Sequence, residues 1–239
     1  MPGDGLSSFP PGGRAVVVGA SGGIGRALLD ALHRSGAFAE VVGLSRRDGQ
    51  IDLEDEASIA AAAARLRDGP PLRLLIVATG FLHDAAQQPE KTWRTLDAGA
   101  MARAYSLNAI GPALVAKHCL DLLPATGKSA FAALSARVGS IGDNRAGGWH
   151  AYRASKAALN MLLRNLAIEL ARRKPEALCV GLHPGTVDTS LSAPFQGGVA
   201  PGKLFSPAQS AGYLLGVLDG LTAQDSGNVF AWDGKAVPP

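Results

Sequence analysis

The stretch Arg14-Ala-Val-Val-Val-Gly-Ala-Ser-Gly-Gly-Ile-Gly25 decides the fold. It opens as a short β-branched run and ends as a glycine cluster, and residues 26–34 follow with helical patterning, so it reads as strand, tight turn and helix. The alternation recurs further along. Residues 40–44 (EVVGL) read as a strand, 54–67 as an alanine-rich helix, 72–78 (LRLLIVA) as a buried strand and 101–123 as a long helix. Residues 129–134 (SAFAAL) form a weaker strand, a helix runs from Tyr152 to Lys174 before Pro175, and 177–182 (ALCVGL) is another apolar strand. Strands apolar on both faces and alternating with helices predict a parallel sheet covered on both sides.

The 239 residues, 47% hydrophobic and 18% charged, suffice for one sizeable core. A single domain is expected over residues 14–239, preceded by a flexible Pro/Gly-rich tail over residues 1–13. The net charge of +3 is spread along the chain rather than gathered in a basic block, so neither nucleic acid nor a membrane is an expected partner. Cys119 and Cys179 stand far apart with no metal-ligand spacing, which points to no metal, no disulfide and a reducing cytoplasm. No apolar run is long enough to span a bilayer.

The glycine turn carries the first functional reading. Gly19-x-x-x-Gly23-x-Gly25 follows a strand and opens a helix, where backbone N–H groups can approach a pyrophosphate. At the end of the second strand the chain reads Leu44-Ser-Arg-Arg47, with no carboxylate before Asp48. Arg46, with Arg47 beside it, suits a 2′-phosphate, which favours NADP(H) over NAD(H). Later, Tyr152-Arg-Ala-Ser-Lys156 places a phenol and an ammonium a little over one turn apart on one helix face.

With these motifs in family order, the chain resembles the short-chain dehydrogenase/reductases, in particular the sniffer-type carbonyl reductases and C-factor-like proteins. The resemblance rests on GASGGIG at 19–25, Asp52-Leu53, Asn108, YRASK at 152–156 and His183-Pro-Gly-Thr-Val-Asp-Thr189. It implies a single-domain Rossmann fold, a doubly wound parallel sheet of about seven strands. It also implies an NADP(H)-dependent oxidoreductase passing a hydride between nicotinamide and a small carbonyl or alcohol substrate. Tyr152 would be the general acid or base, Lys156 would lower its pKa and hold the ribose, and Asn108 would hold a water linking Lys156 to solvent. Gly19, Ser21, Gly23, Ile24 and Gly25 would line the pyrophosphate, Asp52 and Leu53 the adenine. Thr79 and Gly80 would meet the cofactor, and Pro184, Gly185, Val187 and Thr189 would hold the carboxamide. A homodimer or homotetramer is implied, with the 101–123 and 152–174 helices in the interface.

Three departures from the family pattern stand out. Val18 replaces a threonine, Val77-Ala78-Thr79-Gly80 replaces NNAG, and Ala136 stands where the catalytic serine is expected. Ser135 is the first candidate to polarise the substrate, if a kink at the strand end turns it inward, and Ser140 the second. The alternative function, kept open by Ala136, is a dinucleotide-binding regulatory or signalling protein with little turnover. Trp149, His150, Leu191, Phe195 and the 192–202 segment are expected around the substrate pocket.

Overall fold

The computed structural model describes residues 6–239. β1 (Arg14–Val18) leads into α1 (Gly23–Ser35), followed by β2 (Glu40–Leu44), α2 (Glu56–Arg65) and β3 (Leu72–Val77). The helix expected over 101–123 is α3 (Ala98–Tyr105), a π turn at Ser106–Ile110 and α4 (Gly111–Cys119) in one continuous path. After β4 (Ser129–Leu134) come α5 (His150–Ala171), β5 (Ala177–His183), the two-residue strands β6 (Thr186–Val187) and β7 (Leu204–Phe205), α6 (Pro207–Gly220) and β8 (Val229–Ala231). Local chemistry sets several boundaries. The Asp55 side chain caps α2 by accepting from Ala57 N, and Ser206 with Gln209 forms a reciprocal capping box at α6.

The main sheet has the order β2-β1-β3-β4-β5-β8, every pair parallel. It holds six strands among the described residues rather than about seven, and β6 pairs with β7 in a separate two-stranded sheet. Strand alternation fills both faces. Val16, Val18, Leu75 and Val77 meet the α2, α4 and α5 side through Ile59, Val115, Leu159 and Leu163. Ala15, Val17, Leu74 and Ile76 meet α1 and α6 through Leu28, Leu32, Leu214 and Leu218. Each fully buried leucine contributes about 1.5–3 kcal/mol. β1 lies between β2 and β3, so the chain builds outward in both directions from it. Such a switch point leaves a crevice beyond the carboxyl ends of the strands.

The flexible tail expected through residue 13 is a correction. Leu6 and Phe9 are buried, Phe9 packs against Phe38 with ring centroids 5.7 Å apart, and Ser8 Oγ donates to Asp219 at 2.6 Å. Two apolar side chains in eight residues are enough to dock this segment on the α1–α6 layer; residues 1–5 of the expected tail lie outside the described residues. Among the described residues, no helix is long and apolar enough to cross a membrane, and both cysteines are free.

Candidate functional site

A groove of about 480 Å³ opens at the switch point. Its floor is the glycine turn. Gly19 has φ +88, which an L side chain rarely adopts, and a Cβ on Gly25 would stand 2.1 Å from Gly19 O. The turn closes only because both positions lack one. A Cβ on Gly23 would meet the Thr189 methyl at 2.7 Å, so the segment after β5 is folded down onto the turn. Ile24 packs beneath, against the α1 side of the core.

Gly19, Ser21, Arg46, Asp52, Leu53, Thr79 and Gly80 all line this groove, together with Arg47, Phe81 and Arg103. The Thr79 hydroxyl is buried and has no hydrogen-bond partner. An orphaned hydroxyl in a groove with a glycine floor and two arginines at one end fits a dinucleotide that supplies the missing partner. At the arginine end, Ser45 Oγ donates to Asp48 Oδ2 at 2.5 Å, which ties back the first carboxylate after β2. Arg46 keeps only a loose pairing with Glu54 at 3.8 Å, both side chains well exposed.

Tyr152 and Lys156 lie on the first turns of α5, with Lys156 Nζ 5.9 Å from the Tyr152 ring centroid. Lys156 is buried and donates to Leu134 O at 2.7 Å, where β4 ends. A Cβ on Gly80 would lie 3.9 Å from both Lys156 Nζ and Asn108 Oδ1, so the dyad adjoins the inner end of the groove. In the protein alone, burial pushes the phenol up to about 12 and the ammonium down to about 7. In this cofactor-free state loss of hydration dominates both groups.

Asn108 sits in the π turn, a helical irregularity frequent at functional sites. Its side chain accepts from Phe81 N at 2.7 Å and donates to Phe81 O at 2.7 Å and Ser155 Oγ at 3.0 Å. The amide thus clamps the 80–81 segment to α5, with one lone pair of Oδ1 left over. Ser135 is a correction. Its hydroxyl donates to Asn160 Oδ1 at 2.6 Å, on α5 about two turns beyond Tyr152. The kink expected to turn it inward is replaced by continued strand register, with Ser135 N bonded to Leu182 O at 2.8 Å. Ser140 Oγ accepts from Asp143 N at 3.0 Å within its own loop.

The segment after β5 is held from below. Pro184 O accepts from Ser210 Oγ at 2.9 Å, and Gly185, at φ +78, leaves room for the Phe205 ring 2.6 Å from where its Cβ would be. Val187 O accepts from Thr189 Oγ1 at 3.4 Å and from Ser192 Oγ. His183, just ahead, is half-buried with Nδ1 enclosed and unpartnered; loss of hydration and then the Arg137 charge hold its pKa down at about 4.

Trp149 lies beside Tyr152 and also meets Phe195, and Leu191 reaches Gly80, whereas His150 lines a different hollow with Val138 and Arg153. Sequence reasoning missed two contributors. His83 Nε2 pairs with Leu191 O at 3.0 Å, and the buried Glu90 carboxylate accepts from Ala151 N at 3.2 Å at the start of α5. Neither belongs to a motif; Gly147-Gly148 before Trp149 was the only local sign of an unusual turn.

Comparisons with known proteins bear on the family and the fold. The chain is 38% identical over 144 residues to the C-signal of Myxococcus xanthus, covering 60% of this chain and 81% of that protein. It is 30% identical over 230 residues to a 1-hydroxy-2-glutathionyl-2-methyl-3-butene dehydrogenase of Rhodococcus sp. (strain AD45), covering 92% of this chain and 96% of the relative. Among solved structures, an NADPH-bound carbonyl reductase from chicken fatty liver superposes with TM-score 0.74 at 26% identity, covering 99% of this chain and 98% of the other. The carbonyl reductase Sniffer of D. melanogaster shares the fold with TM-score 0.78 at 21% identity, over 96% of this chain and all, 100%, of that one. With a family model for short chain dehydrogenases matching residues 14–198, the chain belongs to the short chain dehydrogenase family.

Proposed function

We propose that the protein is an NADP(H)-dependent oxidoreductase that interconverts a small carbonyl compound and its alcohol. The observation that carries this reading is the pairing of half-buried Tyr152 with buried Lys156 at the inner end of a groove whose glycine floor and orphaned Thr79 hydroxyl fit a dinucleotide. The nicotinamide, when bound, supplies or accepts the hydride. The chain does the rest. Tyr152, protonated at neutral pH, gives its phenolic proton to the carbonyl oxygen as negative charge develops there, and takes it back in the alcohol direction. Lys156, fixed by Leu134 O, stabilises the phenolate and grips the ribose once anionic groups beside it restore its charge. Asn108 holds Phe81 and α5 at a fixed separation, which keeps Gly80 against the dyad. Pro184, Gly185, Val187 and Thr189 hold the carboxamide side. Oxidation of NADPH against a panel of aldehydes, ketones and quinones tests the reading, and no turnover across the panel with intact NADPH binding refutes it.

The second reading is a dinucleotide-binding regulator with little turnover. It draws on the likeness to C-signal and on Ser135 and Ser140, whose hydroxyls are both engaged away from Tyr152. Retention of the phenol and the ammonium favours the enzyme.

Cofactor choice follows from the tied-back Asp48 and the two arginines at the groove mouth. NADPH should bind more tightly than NADH, and Arg46→Ala should cost about 1–3 kcal/mol of NADPH binding with little change for NADH. Titration by fluorescence or calorimetry checks this, and equal wild-type affinities for the two cofactors remove the assignment.

Assembly is the next expectation. Met161 and Ile168, 61% and 47% exposed, stand seven residues apart on one face of α5, with Ile110, 51% exposed, at the π turn of the neighbouring helix. A second copy covering these residues gives a homodimer or, with a further interface, a homotetramer. Light scattering at micromolar concentration should show it, and a monomer counts against it. A cytoplasmic location is part of the same proposal.

A further inference from the structure

Among the described residues, Trp149 is the one non-glycine residue with positive φ, at φ 51 and ψ 40. It completes a left-handed run after Gly147 (φ 62) and Gly148 (φ 63). An L residue holds this conformation only where its surroundings over-determine it, and such outliers gather at functional sites. The surroundings here do so. Trp149 N donates to Glu90 O at 2.5 Å, Ala151 N donates to the Glu90 carboxylate at 3.2 Å, and Arg153 Nε donates to Gly147 O at 3.2 Å and Gly148 O at 3.0 Å.

What the strained turn achieves is the position of the indole. Its ring lies edge-to-face with Tyr152 at 6.3 Å and 74°, and with Phe195 at 4.8 Å and 63°. Phe195 in turn meets His83 at 5.4 Å and 77°. The His83 ring is fastened to Leu191 O at 3.0 Å, and Leu191 Cδ1 lies 4.0 Å from where a Cβ on Gly80 would be, so Leu191 links the rings to the inner end of the groove. The side of the site next to the phenol is therefore a wall of aromatic rings in edge-to-face order.

We propose that Trp149 is a specificity-determining residue and that the substrate carries an aromatic ring beside its carbonyl or carbinol carbon. This rests on the oxidoreductase reading above. A flat ring presents a positive edge and a negative face that continue the edge-to-face packing of the wall, whereas a saturated ring of similar size buries comparable area without that match.

The test compares benzaldehyde with cyclohexanecarbaldehyde as kcat/KM, in wild type and Trp149→Leu; their intrinsic reactivities cancel when the ratio is compared between proteins. The benzaldehyde preference should fall about 5- to 10-fold in Trp149→Leu, with unchanged NADPH affinity, and be largely kept in Trp149→Phe. Phe195→Leu reads the same wall without touching the left-handed turn and should lower the ratio as well. An unchanged ratio in Trp149→Leu and Phe195→Leu overturns the proposal. If no carbonyl is turned over at all, the oxidoreductase reading has failed, and calorimetry on the NADP⁺-loaded protein still decides the present one. Tighter binding of benzyl alcohol than of cyclohexylmethanol, lost in Trp149→Leu, supports it; equal binding in wild type overturns it.

Discussion

Tyr152→Phe is expected to lower carbonyl turnover about 1,000-fold while leaving NADPH affinity nearly unchanged. The substitution removes one oxygen. The ring, its contact with Trp149 and its place on α5 remain, so only the proton-transfer step loses its group. Lys156→Met, by contrast, should damage both turnover and cofactor binding, because the ammonium serves the phenol and the ribose. If wild type and Tyr152→Phe show the same residual rate while both bind NADPH, the regulator becomes the better account. The same pair of groups makes a prediction about the cofactor-free protein. Burial lowers Lys156 from 10.5 to about 7, so between those values the unfolded chain binds more protons and stability rises with pH. Tyr152 is raised from 10.0 to about 12, so its contribution is lost as pH climbs through that upper window. Urea unfolding at pH 7, 8 and 9 should show the first slope in wild type and a flatter one in Lys156→Met, which should also be the more stable at pH 7. Parallel slopes in the two proteins would mean that Lys156 is hydrated and charged before cofactor arrives.

The second large effect is expected from Gly25→Ala, which should weaken NADPH binding by at least about 100-fold and lower the melting temperature by several degrees. The added methyl would sit 2.1 Å from Gly19 O and 2.8 Å from Gly19 C, both backbone atoms that cannot rotate away. Gly19 N is itself bonded to Leu44 O at 2.8 Å, and Gly22 N to Gly19 O at 3.0 Å, so displacing this carbonyl opens the turn and loosens the start of α1. Overpacking of this kind costs about 1–3 kcal/mol or more, which for a chain of this size is about 2–4 °C per kcal/mol. Gly22→Ala is the control for folding. Its Cβ would meet Gly19 O at 3.4 Å, an ordinary contact, and the melting temperature should stay within a degree or two of wild type. A Gly25→Ala protein that melts and binds NADPH like wild type would show that the turn is not the rigid floor described here.

Two side chains show how far a one-dimensional reading reaches. Asn108 was placed on its helix, but its clamp on the 80–81 segment was not legible, because its hydrogen-bond partners Phe81 and Ser155 lie 27 and 47 residues away. Ser135 was offered as the replacement for the missing serine at 136; its position at the end of β4 is as expected, but Asn160 on the packed helix takes its hydroxyl. β8 escaped notice because three residues, Val229–Ala231, leave no period to read. The docking of Leu6 and Phe9 escaped because a Pro/Gly-rich composition describes backbone freedom and says nothing of two apolar side chains that find a core.

By itself the sequence determined the alternation of strands and helices, the parallel sheet buried on both faces, the glycine turn, and the spacing that sets Tyr152 and Lys156 on one face of a helix. These are local: they depend on burial period, on the missing Cβ of glycine and on the pitch of a helix, all written within a dozen residues. The tertiary structure alone decided which hydroxyls are engaged, that Glu90 and Arg153 hold Trp149 in a left-handed turn, and that His83 and Phe195 complete a ring wall beside the phenol. It also decided the directions in which the dyad's pKa values move. Those outcomes depend on which distant segments meet and on how completely water is expelled where they do, and neither is encoded in the spacing of neighbours along the chain.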